Sequence, residues 1–137
     1  MTPSASREKL RIVPRKSRGR VLVVDDEPLV CWSLAVGLRQ AGFDSDTASA
    51  STEALALAGM HPLPEAVLID ARLRDCDPAE LVRELREVAP DCRFLLMTTD
   101  RDELPQAPFD VVMVRKPFDL PGLIEQVGAE VARAHAG

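Results

Sequence analysis

The sequence predicts an α/β fold, a five-stranded parallel sheet with helices wound on both sides. Two observations carry that expectation. Apolar runs of strand length alternate along the chain with segments of helical period, the signature of repeated strand–helix units. Several of these runs, VLVV and AVLI among them, are continuously apolar, which suits strands covered on both faces.

The strand candidates are Arg20–Val24, Asp44–Ala48, Glu65–Ile69, Arg93–Met97 and Val111–Val114. Between the first two, Val30, Leu34, Gly37, Leu38 and Ala41 fall on one helical face, and Gly42 suits the helix end. Ser51 is placed to cap a second helix running to Gly59. Asp77 is placed to cap a third, with Pro78 at its first position and Glu80 completing a capping-box pattern. Leu120, Leu123, Ile124, Val127 and Val131 form the stripe of the last helix. The fourth helix is expected to be short or irregular, because Pro105 and Pro108 interrupt residues 100–110.

The chain of 137 residues suits one domain, with 46% hydrophobic and 28% charged residues. Its net charge of -5 is unevenly spread. Residues 1–20 carry seven Lys/Arg against Glu8, a balance of +6, which leaves -11 for residues 21–137. Residues 1–18 read as a flexible basic tail, either a solvated leader or an arm for an anionic partner, and 19–137 as the folded domain. The acidic body argues against direct nucleic-acid binding. Cys31, Cys76 and Cys92 show no metal or redox spacing and read as reduced thiols. With no run of ~18 apolar residues and no signal peptide, the expected location is the cytoplasm, away from membranes.

Ligands of open parallel sheets sit beyond the carboxyl ends of the strands. There the first strand delivers Asp25 and Asp26, the third Asp70, the fourth Thr98 with Thr99 behind it, and the fifth Lys116. Adjacent carboxylates repel, by roughly 4 kcal/mol at 4 Å for an effective dielectric of about 20. Each residue alone has an ordinary explanation as a cap, a turn or a solvated lysine. Their joint occurrence at four strand ends gathers them in one small cleft, either holding a cation or filled with water.

The segments VLVVDDEP, AVLIDARL, FLLMTTD and VRKPF together resemble the receiver domain of two-component response regulators, over residues 20 to about 134. The resemblance implies the flavodoxin-like strand order 2-1-3-4-5. It implies that Asp70 accepts a phosphoryl group from a sensor histidine kinase or a histidine phosphotransfer protein. It further implies Mg²⁺, or Mn²⁺ in its place, held by Asp25, Asp26, Asp70 and the Arg72 backbone carbonyl. Thr98 and Lys116 would bind the phosphoryl oxygens, and inward movement of Thr98 would switch the binding of an output partner. Such a domain signals; its own phosphorylation and slow hydrolysis are its only chemistry. Arg72 and Asp100 stand where the family tunes that hydrolysis.

Departures from the family pattern are specific. Met113 replaces the usual aromatic three residues before the lysine, Arg74 replaces a proline, and Pro78 replaces a glycine. The Thr98–Lys116 interval is several residues short, so dimerisation through the fourth helix is expected to be weak, leaving a monomer or weak dimer. Trp32 lies off the first helix's apolar stripe, and either packs under a neighbour or anchors a docking kinase. The chain reads as a stand-alone receiver or a trimmed fragment. A phosphate-independent adaptor is one rival. A haloacid-dehalogenase-like phosphatase is another, although in those enzymes the nucleophile opens the first strand as Asp-x-Asp and the acid pair comes late, whereas here the pair comes first.

Overall fold

The structure is a computed structural model and describes residues 16–99, 110–116 and 118–136. Its elements are β1 (Arg20–Val24), α1 (Pro28–Gln40), β2 (Asp44–Ala48), α2 (Ser51–Ala58), β3 (Ala66–Asp70), α3 (Pro78–Val88), β4 (Arg93–Thr98), β5 (Val112–Arg115) and α4 (Leu120–Ala136). The five strands form one sheet in the order β2-β1-β3-β4-β5, every neighbouring pair parallel. The expected fold class and strand order are therefore those of the molecule.

Alternation along each strand divides the core in two. Leu22, Val24, Val67, Ile69, Phe94 and Leu96 face α2 and α3, meeting Ala54, Ala58, Leu81, Val82 and Leu85. Val21, Val23, Leu68, Leu95 and Met97 face α1 and α4, meeting Leu34, Leu38, Leu123, Val127 and Val131. Both helical stripes read from the sequence are the ones buried here.

The ends of the elements show how the sequence sets them. Pro28 opens α1, where its missing N–H costs nothing. At the other end Gly42 adopts φ 101°, while Gly42 N–H donates to Arg39 O and Phe43 N–H to Leu38 O, closing a Schellman turn. The Asp77 carboxylate accepts from the Ala79 N–H at 3.0 Å and caps α3, as expected.

Ser51 does not cap α2. Ala50 holds the cap position without a side-chain oxygen, and the Asp75 carboxylate accepts from Ser51 N–H at 2.9 Å and Ser51 Oγ at 2.7 Å. These hydrogen bonds hold the Asp75 carboxyl below its ordinary pKa. β3 begins and ends one residue later than the expected Glu65–Ile69, β4 extends to Thr98, and β5 is shifted by one. Side-chain polarity marked the expected ends, whereas the ladder needs only backbone groups. The expected short fourth helix lies, apart from Asp110, outside the described residues.

The amino edge of the sheet is closed by a buried cation. Arg20 donates through Nε to Asp46 at 2.7 Å and through its terminal nitrogens to Leu57 O, Met60 O and Pro62 O, each at 2.8 Å. It thus satisfies Met60 O and Pro62 O beyond the end of α2, and shares Leu57 O with the Met60 N–H, 3.2 Å away. Arg18 clamps the same end of α1, donating to Ala41 O at 3.0 Å with its guanidinium 4.4 Å from the centre of the Phe43 ring. Arg20→Met removes the guanidinium donor of Met60 O, Pro62 O and Asp46 while Leu57 O keeps the Met60 N–H, and is expected to cost about 3 kcal/mol in equilibrium denaturant unfolding. A loss below about 1 kcal/mol would show that water replaces the guanidinium freely.

Candidate functional site

At the carboxyl edge the strands release their polar residues into one cleft. Asp25 N–H still bonds to Ala48 O at 3.0 Å, so the residue after β1 remains fixed to the edge of β2. The Asp25 Oδ1 then accepts from Glu27 N–H at 2.9 Å, turning the chain toward Pro28 and α1. Asp70 ends β3 opposite Met97, and its Oδ1 accepts from Arg72 N–H at 3.2 Å. Lys116 follows β5, with its N–H donating to Thr98 O at 2.6 Å. Its ammonium lies 3.3 Å from Asp70 Oδ1 and 3.5 Å from Asp25 Oδ2.

Asp25, Asp26 and Asp70 present carboxylate oxygens within 4.8 Å of one another. Asp25 is wholly buried. Burial, reinforced by the charge of Asp70, pushes its carboxyl above the ordinary pKa against the opposing pull of the Glu27 N–H and Lys116. Burial would lower the Lys116 pKa, but Asp25 and Asp70 together outweigh it and raise the ammonium above its usual value. One ammonium against three carboxylates leaves the cluster short of positive charge.

The donor set fits a hard divalent cation. Asp26 Oδ2 is buried without a hydrogen-bond partner, a costly state for a carboxylate oxygen unless a cation takes it. Arg74 Nε stands 3.6 Å from that oxygen, an ion pair too long for a hydrogen bond. The cleft, of about 210 Å³, is lined by Asp26, Glu27, Asp70, Arg72, Arg74, Met97, Thr99 and Lys116. Oxygens from three acids can hold the ion at its base, and the Arg72 carbonyl belongs to the adjoining turn.

The other residues singled out by sequence lie as follows. Thr98 is buried at the end of β4, and its hydroxyl donates to Thr99 O at 3.1 Å. Thr99 is the threonine that lines the cleft. Met113 lies on the edge strand β5, 46% exposed. Trp32 is 66% exposed on α1, beside Leu29 at 79%. Asp100 lies outside the described residues. Cys31 donates its thiol to Asp25 O at 3.1 Å, and burial pushes its pKa up to about 11. Burial likewise raises the Cys92 thiol to about 12, so neither is poised as a thiolate near neutral pH.

Two features were not assigned in sequence, the Leu29 exposure next to Trp32 and the approach of Arg74 to Asp26. The substitution of the family's proline by Arg74 was the available signal for the second.

Comparison with known proteins decides the family. The response regulator receiver domain model matches residues 21–128. The chain belongs to that family. It is 35% identical over 125 residues to the transcriptional regulatory protein PrrA of Mycobacterium leprae, covering 88% of this chain and 53% of that protein. It is 38% identical over 81 residues to the photosynthetic apparatus regulatory protein RegA of Cereibacter sphaeroides, covering 59% of this chain and 43% of that one. This receiver chain thus spans about half the length of these relatives. The crystal structure of a CheY-like receiver domain protein from Methanospirillum hungatei superposes with a TM-score of 0.76 at 21% identity, over 86% of this chain and 97% of that one. That likeness concerns the fold. Among the described residues no helix is long and apolar enough to cross a membrane.

The raised Asp25 pKa has a consequence for stability in the absence of divalent cations. A carboxyl that binds its proton more tightly when folded makes stability fall as pH rises, from the unfolded pKa up through the folded one. Asp25→Asn removes that penalty and keeps the acceptor for Glu27 N–H. The variant is expected to unfold at higher denaturant concentration than the wild type at neutral pH, with the gain shrinking toward pH 4. Chemical unfolding across that range checks it; a wild type equally or more stable at neutral pH would contradict the assignment.

Proposed function

We propose that this receiver accepts a phosphoryl group on Asp70 from a phosphohistidine of a sensor kinase or phosphotransfer protein, and that this switches its binding to an output partner. The observation that carries the proposal is the joining of three strand-end carboxylates within 4.8 Å of one another to a lysine 3.3 Å from Asp70. Asp70 Oδ1 is engaged by Lys116 and by Arg72 N–H, which leaves Oδ2 as the attacking oxygen. In transfer a P–O bond to Asp70 forms as the P–N bond breaks, and the imidazole nitrogen keeps the electron pair. Transfer of this kind depends chiefly on alignment and charge neutralisation.

Mg²⁺, when bound by Asp25, Asp26, Asp70 and the Arg72 carbonyl, would neutralise the charge of the acids and of the phosphoryl oxygens; Mn²⁺ has the same donor preference. Lys116 holds the Asp70 carboxylate in orientation and is placed to pair with a phosphoryl oxygen. Thr98 would serve as the switch by exchanging its bond to Thr99 O for one to the phosphoryl group, drawing the end of β4 inward. Met113, a flexible side chain on the neighbouring strand, would respond in place of an aromatic. The protein is in this reading a cytoplasmic signalling module, without nucleic-acid binding by its body, monomeric or weakly dimeric. Residues 19–137 form the receiver, with 1–18 a basic segment whose Arg18 is tied to the end of α1.

Trp32, with Leu29, offers an exposed apolar anchor on α1 for the phosphodonor protein, since aromatics concentrate binding energy at interface centres. The adaptor and phosphatase readings gain nothing from the geometry: all acids and Lys116 converge, and Arg72 rather than a second acid stands two residues after Asp70.

Intact mass after incubation with a small phosphodonor tests the proposal. A Mg²⁺-dependent single phosphate adduct is expected on the wild type and on Trp32→Ala, but not on Asp70→Asn. With a phosphorylated histidine-containing partner as donor, Trp32→Ala is expected to slow labelling about tenfold or more, as loss of a hot-spot residue would. An adduct surviving Asp70→Asn would refute the acceptor. Partner-driven labelling unaffected by Trp32→Ala would refute the anchor.

A further inference from the structure

Lys116 does not balance the whole cluster. Its ammonium pairs with Asp25 and Asp70, whereas Arg74 stands in ion-pair range of Asp26. The Arg74 side chain is 91% exposed, so it reaches the Asp26 carboxylate from the solvent side of the cleft and can leave without disturbing the core. Its starting point is fixed. The loop from 71 to 77 is held by Asp75, which accepts from Ser51, and by Asp77, which caps α3.

The contact has the form expected of a provisional partner. At 3.6 Å, Arg74 Nε offsets part of the charge on Asp26 Oδ2 yet leaves that buried oxygen without a hydrogen bond. A directly coordinated divalent ion would supply both charge and a ligand bond at the same oxygen. The two cations therefore exclude each other, one tethered to the chain and the other drawn from solution.

We infer that Arg74 is a built-in counter-ion that competes with the divalent cation for Asp26 and so raises the metal concentration at which the site fills. The inference rests on the metal-dependent reading of the cleft proposed above. It assigns a role to a residue outside the acid, threonine and lysine set. An exposed ion pair of this kind is weak, and salt screens it. The competition should accordingly be modest in size and greatest at low ionic strength.

Metal titration of the full chain at low salt tests this, by calorimetry with Mg²⁺ and by the spin-resonance signal of free Mn²⁺. Arg74→Gln is expected to bind either ion roughly two- to fivefold more tightly than the wild type, with the difference narrowing as salt is raised. Arg83→Gln removes one positive charge from the exposed surface of α3 and is expected to change affinity far less. In an Asp26→Asn background, where binding is weaker, Arg74→Gln is expected to have no further effect. Affinity unchanged or weakened in Arg74→Gln, or an equal gain in Arg83→Gln, would overturn the inference while leaving the functional reading intact. A wild type that binds neither ion would overturn the functional reading, and this inference with it.

Discussion

The crowding of three carboxylates at the carboxyl edge of the sheet is the constraint on which the rest depends. Parallel pairing brings residues from distant parts of the chain to that edge, where their charges add. Asp25 is wholly buried, so water cannot screen it. Lys116 bridges it to Asp70, and its own backbone N–H is bound to the end of β4. A change in the charge on Asp70 is thus felt at once by the last residues of β4 and β5.

The two edges of the sheet use cations in different ways. At the amino edge Arg20 is saturated by Asp46 and three carbonyls, and it locks α2 to β1. At the carboxyl edge Lys116 and Arg74 face more negative charge than they offset, and an Asp26 oxygen remains without a hydrogen bond. The first arrangement lowers the energy of one state. The second leaves a demand for positive charge that a bound ion can meet, with stabilisation linked to its concentration. Hydrophobic layers on both faces hold the strands against the repulsion that the cleft retains.

Much of this was legible from residue order because local and long-range signals agree. VLVV and AVLI are buried runs that stop at acids, and β1 and β2 have the bounds read from sequence. Agreement fails where a partner comes from elsewhere in the chain. Ser51 has the residue type of a cap, but Ala50 takes the cap position and Ser51 instead donates to Asp75, which is 24 residues away in sequence. Arg74 stood out only as a missing proline; its proximity to Asp26 depends on how the loop after β3 lies over the cleft. Thr98 was placed at its strand end correctly, but the direction of its hydroxyl toward Thr99 O is a rotamer choice that no sequence pattern encodes.

The central claim is that the acid cluster is completed by a divalent cation, and its most direct measurement is the free energy of unfolding as a function of Mg²⁺ concentration at neutral pH and constant ionic strength. One ion bound only by the folded state should raise stability by about 1.4 kcal/mol per decade of Mg²⁺ beyond saturation, with Asp26→Asn flattening the dependence. A wild type whose stability is indifferent to Mg²⁺, or rises equally in Asp26→Asn, would contradict the account.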